Sequence, residues 1–118
     1  MKPLNLCFVI LFFSLPIMAN EFSQANKLSK TPGFDKIKLT YEKCVLTKGV
    51  RFAKVSTLSE TIKFAPLACK RELLAIRKFF LHSAFKQAVI IELVDSIRAG
   101  VEIDLINTVY KERLKYVK

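Results

Sequence analysis

The chain has 118 residues, a formal charge of +10, three cysteines, one histidine and three glycines. That length holds one small domain and not two. The cysteines and the single histidine make no zinc pattern, and Gly33, Gly49 and Gly100 are too scattered for a glycine-rich phosphate loop.

Residues 1–19 have the layout of a secretory signal peptide. A short basic start (the amino terminus and Lys2) precedes an apolar run from Leu4 to Ile17, and Ala19 supplies the small residue before the expected cut at Asn20. The run is shorter than the roughly 20 residues a membrane span needs, and Pro16 falls at its end, which favours cleavage over an uncleaved anchor. Cys7 leaves with the peptide, and no cysteine stands where lipid attachment would need one. The expected destination is the periplasm or the exterior, an oxidising place where the remaining pair, Cys44 and Cys69, favours a disulfide over two free thiols.

Asn20 to Gly33 is polar, aperiodic and closed by Thr31, Pro32 and Gly33, the composition of a flexible arm. A single helical domain is expected over 34–118. From Phe34 to Val55 the apolar residues Phe34, Ile37, Tyr41, Val45, Phe52 and Val55 recur at helical steps, with Lys36, Lys43, Arg51 and Lys54 as a basic row on the other side. Gly49 either lets the second helix come close or weakens the end of the first.

Ser56 and Thr57 break this pattern, and Thr57 followed by Glu60 is a capping box that starts the next helix. The second apolar face reads Ile62, Ala65, Cys69, Leu73, Ile76 and Phe80. The midpoint of the two cysteines falls between Ser56 and Thr57. In an antiparallel hairpin each cysteine therefore lies roughly 18 Å up its own helix, level with its partner. Pro66 leaves two alternatives: a short helix from Leu58 to Phe64 followed by a main helix from Pro66, or one bent helix.

Beyond Phe80 the residues Phe85, Ala88–Ile91, Leu93, Val94 and Ile97 predict a helix apolar enough to be central, packed on more than one side. The alternative is a strand from Val89 to Val94, a turn at Ala99 and Gly100, and a strand from Val101 to Leu105. Gly100 reads as a helix stop. A last helix to Tyr116 follows, with Ile103, Ile106, Tyr110, Leu114 and Val117 on one face and Lys111, Arg113 and Lys115 suiting the dipole at its end. The fold class expected is all-α: a small disulfide-stapled bundle of three to four helices built on an antiparallel helical hairpin.

No constellation for catalysis emerges. His82 has no legible nucleophile or orienting acid, the cysteines lack the Cys-x-x-Cys spacing of a redox helix start, and Glu92 with Asp95 reads as solvated acids beside Arg98. The chain is expected to be no enzyme, with no cofactor and no metal. There is no DNA-reading motif, and export argues against nucleic acid as a partner.

What remains is charge. Between Lys27 and Lys78 thirteen bases face four acids, whereas from Phe79 onward six face five. The basic character belongs to the hairpin and the arm before it. The basic row of the first helix, Lys36, Lys43, Arg51 and Lys54, is continued by Lys70, Arg71, Arg77 and Lys78 on the second. Such a face attracts acidic partners: a protein, a glycan or another envelope component, or an anionic lipid surface. Phe64 and Phe79 fall off the main stripe and either pack on later helices or line a groove for that partner.

In size and layout, an exported helical domain of about a hundred residues with one disulfide, the chain resembles periplasmic acid-stress chaperones. Those proteins tie cysteines across a longer separation, and no motif matches residue by residue, so the resemblance implies no site. The coiled-coil-helix proteins with twin cysteine pairs also staple a helical hairpin, but they need four cysteines. The expectation is a non-enzymatic protein that binds an acidic partner through its basic hairpin face. The alternatives are a cationic amphipathic protein acting on membranes and a chaperone-like protein.

Overall fold

The computed structural model describes residues 31–117, so the signal segment and most of the arm lie outside the described residues. Within them are four helices and no strand: α1 (Phe34–Ala53), α2 (Leu58–Ala68), α3 (Lys70–Leu81) and α4 (Gln87–Leu114). The all-α expectation is met, and the strand alternative at Val89–Leu105 is not.

Gly33 precedes α1 with φ 86°, a left-handed conformation that suits a residue without a side chain. Asp35 in the first turn and Arg51 in the last agree with the helix dipole. Tyr41, Val45 and Gly49, one helical step of four apart, form the buried line. Val55, expected on the same face, is 84% exposed because α1 has already ended at Ala53 and Val55 lies in the turn beyond it.

The capping box forms as the sequence predicts. The Glu60 amide donates to Thr57 Oγ1 at 3.2 Å and the Thr57 amide donates to Glu60 Oε2 at 3.1 Å. Thr61, one turn on, is fully buried and returns its hydroxyl to the Thr57 carbonyl at 2.9 Å, so no donor is orphaned there. Pro66 is carried inside α2, and the break comes three residues later at Cys69. Neither alternative drawn from Pro66 places the boundary there. At Cys69 the backbone leaves the helical region (φ −108°, ψ 24°), its amide reaches back to the Pro66 carbonyl at 3.1 Å, and α3 begins at the next residue.

Cys44 and Cys69 are joined by a disulfide with their Cα atoms 6.0 Å apart. The level register of the hairpin is therefore as the sequence predicts. Gly49 also admits a close neighbour, but that neighbour is α4 and not the second helix: a Cβ at Gly49 would overlap Leu105 Cδ1 and touch Val109 Cγ2 at 3.5 Å.

α4 departs most from expectation. It runs unbroken through Gly100, which is exposed and has nothing within 4 Å of where a Cβ would sit. One mid-helix glycine costs about 1 kcal/mol, too little to end a helix whose two halves both have apolar residues to bury. The buried line of its second half is Val101, Leu105 and Val109, not the predicted face: Ile103 is 61% exposed, Leu114 66%, and Tyr110 and Val117 are exposed with them. The first half is less central than predicted, with Ile90 buried but Ile91 exposed and Val94 and Ile97 half-buried. A residue set at helical spacing does not say which of two apolar faces meets the bundle, and here the space against Gly49 selects the face of Leu105 and Val109.

α4 packs against both α2 and α3, which adjoin each other at Cys69. Near its end Arg113 Nη2 donates to the Ser56 carbonyl, so the helix is tied to the turn between α1 and α2. The fold is thus a staple at Cys44–Cys69, a close contact at Gly49, and a long helix that closes the remaining side.

The two glycines give opposed expectations. Gly100→Ala should raise stability by about 0.5–1 kcal/mol, because it enters open space and restricts the unfolded chain. Gly49→Ala should lower it by about 1–2 kcal/mol despite better helix propensity, because Leu105 is fully buried and has no room to yield. Urea unfolding of the two variants reads the difference.

Candidate binding surface

All eight cations singled out from the sequence are exposed: Lys36, Lys43 and Arg51 on α1, Lys54 in the turn just after it, and Lys70, Arg71, Arg77 and Lys78 on α3. At 3.6 residues per turn Lys36 and Lys43 share nearly one line, with Arg51 about a sixth of a turn from Lys36, opposite the buried Tyr41 and Val45. The ion pairs among the described residues are Arg98 with Asp95 (3.7 Å), Arg98 with Glu102 (4.0 Å) and Lys115 with Glu112 (2.9 Å). None uses the eight. Lys54 acts on an acid of α4: the Glu112 carboxyl is held below its usual range, first by the hydrogen bond from Lys115 and more weakly by Lys54.

On α3, Arg71 and Lys78 point away from the buried Ile76 and Phe80, whereas Lys70 and Arg77 flank them. Of these two, Lys70 has a further neighbour. It borders a cleft of about 430 Å³ that opens between α1, α2, α3 and α4. Ile62, Pro66, Leu67 and Leu73 form its apolar wall, and Lys63, Lys70, Arg98 and Glu102 its charged rim.

Tyr41 underlies that cleft. Its ring is fully buried and its hydroxyl has no hydrogen-bond partner among the described residues. Burial first, and then Glu102 nearby, push its pKa above the ordinary tyrosine value, with Arg98 acting the other way. A phenol that holds its proton more tightly when folded contributes stability that is intact below about pH 10 and is lost as the pH rises beyond it. Tyr41→Phe should therefore gain about 1 kcal/mol at pH 8, where it removes an unpaired hydroxyl, and should lose less stability than the parent between pH 8 and pH 11. Urea midpoints at the two pH values test both statements.

The remaining candidates for chemistry occupy ordinary places. His82 is exposed and ends α3, its amide bonded back to the Phe80 carbonyl. Asp95 pairs with Arg98, as its sequence position suggests. Cys44, Cys69 and Glu72 bring three possible ligand atoms within 4.8 Å of one another, but the two sulfurs are bonded to each other and offer no thiolate. Of the off-stripe aromatics, Phe79 packs edge-on against Phe80 with centroids 5.9 Å apart, whereas Phe64 is exposed with the Lys63 ammonium 5.6 Å from its ring centre.

The cleft joins residues that sequence reasoning did not single out for binding: Tyr41, Lys63, Arg98 and Glu102. They come from three helices, and only Arg98 and Glu102 share a helical spacing. The one legible hint was Tyr41, a core position filled by a residue whose hydroxyl needs a partner. No helix among the described residues is long and apolar enough to cross a membrane. The chain matches no known protein family, no curated protein and no solved structure.

Proposed function

We propose that this is an exported, non-enzymatic helical protein that binds an acidic partner through the basic outer face of its stapled hairpin. The observation that carries the reading is the set of eight exposed cations on α1, the turn after it and α3, none held in an ion pair among the described residues. Free surface cations keep their full attraction for an outside anion, over a distance of about 8–10 Å at ordinary salt. The disulfide fixes the hairpin that carries them and accords with an oxidising destination outside the cytosol.

The test is retention on immobilised heparin, a soluble polyanion. Replacing Lys43, Arg51 and Lys54 together by glutamine should weaken binding by about tenfold and flatten its salt dependence. A control of equal charge change, Lys38, Lys86 and Lys111 to glutamine, should weaken it much less. Equal losses in the two triples would mean that net charge alone is at work and would sink the proposal.

A further inference from the structure

We infer that the outer face of α2 and α3 is a docking surface for an anionic lipid bilayer, which names the partner that the basic hairpin serves and rests on that reading. Lys63, Leu67, Lys70, Leu74, Arg77 and Leu81 follow one another at alternating steps of four and three, the spacing of a single helical face. All six are exposed, the first three also border the cleft over Tyr41, and the spacing in sequence runs on past the one-residue break at Cys69. Leu67 and Leu81 are each 59% exposed and Leu74 47%. These leucines succeed one another every seven residues, about 21 Å from first to last along the helices.

A line of large apolar side chains held in water is a cost that a partner relieves. The chemistry of that partner follows from what lies between the leucines. Five cations, Lys63, Lys70, Arg71, Arg77 and Lys78, stand within or beside the line, while the two acids of the segment are otherwise placed: Glu60 in its capping box and Glu72 beside the disulfide. A second copy of the chain would bring five like charges against five. A protein groove would have to bury cations in the middle of its apolar contact and pair each one, at a desolvation cost that such pairs rarely recover. At a bilayer surface the same arrangement is favourable. The leucines enter the acyl boundary, and the lysine and arginine stems lie along it with their charges among lipid phosphates.

The chain has no tryptophan, so a single one introduced into the full chain reports its own surroundings. Leu74→Trp should shift its emission to the blue on vesicles of phosphatidylglycerol and phosphatidylcholine and be quenched by brominated acyl chains, with no change on phosphatidylcholine alone. Ile103→Trp, at an exposed site on α4, should not respond. In the Leu74→Trp background, changing Leu67 and Leu81 to glutamine should weaken the response by about tenfold, and each cation removed from Arg71 and Lys78 by about fivefold. All the sites are exposed, so the variants keep their helical circular dichroism.

A silent tryptophan at position 74, or equal responses at 74 and 103, overturns the inference. If heparin retention still falls in the Lys43, Arg51 and Lys54 triple, only the lipid assignment fails and an acidic soluble partner remains. If heparin retention is also absent, the broader reading fails with it.

Discussion

Breaking the Cys44–Cys69 bond is expected to cost about 3.5 kcal/mol. The bond closes a loop over a sequence separation of 25, and the loss of closure entropy for about that many residues gives this magnitude at 25 °C. Two features hold the value near the full entropic figure. Cys69 is completely buried at the junction of α2 and α3, so the bond anchors two helices to α1 at once. The other ties between α1 and the rest of the bundle include the approach of Gly49 to Leu105 and the Arg113 bond to the Ser56 carbonyl at its far end. In a domain of this size, with a total stability of about twice the loss, the melting temperature should drop by roughly 15–25 °C. Thermal unfolding with and without reductant measures it, and the Cys44→Ala, Cys69→Ala pair separates the cross-link from the reductant's other effects. A loss below about 1 kcal/mol would mean that the hairpin is held by packing and that the staple is incidental.

What the sequence made legible, and what it hid, divides along a physical line. Local determinants were readable: the hydroxyl of Thr57 and the carboxylate of Glu60 stand three residues apart and need only each other to cap α2. The register of the cysteines was readable too, because helical rise and the position of the turn fix it without reference to anything else. The path of α4 was not. Gly100 ends a helix only when the flanking segments have no reason to continue, and here Val101, Leu105 and Val109 bury against the rest of the bundle. Two faces of α4, one with Leu105 and one with Ile103 and Leu114, both carry apolar residues at helical spacing. Only the gap left by Gly49 on α1, about fifty residues away, decides between them. The same division explains the surface. The basic row on α1 was read from its spacing, whereas the cleft over Tyr41 is assembled from α1, α2, α3 and α4 and has no linear trace.

Phe80→Ala should be severely destabilising, at about 3–5 kcal/mol. Phe80 is fully buried in the last turn of α3. Its ring meets Phe79 edge-on at 5.9 Å and Phe85 edge-on at 6.3 Å, an arrangement worth about 0.5–1.5 kcal/mol per pair beyond the buried area. Phe85 lies in the connection that leads into α4, so the pair fixes where the long helix begins. Ser83 reinforces the same corner, its amide and its hydroxyl both donating to the Phe80 carbonyl. Truncation therefore leaves a cavity and also loosens the entry of α4, which α2 and α3 both need as a packing partner. Phe79→Ala, which removes a half-buried ring from the same cluster, should cost clearly less, about 1–2 kcal/mol. Urea unfolding of both variants gives the comparison. Equal losses would place the weight of the corner on the ring pair and not on the burial of Phe80. A near-neutral Phe80→Ala would mean that α4 is positioned by Gly49 and Leu105 alone.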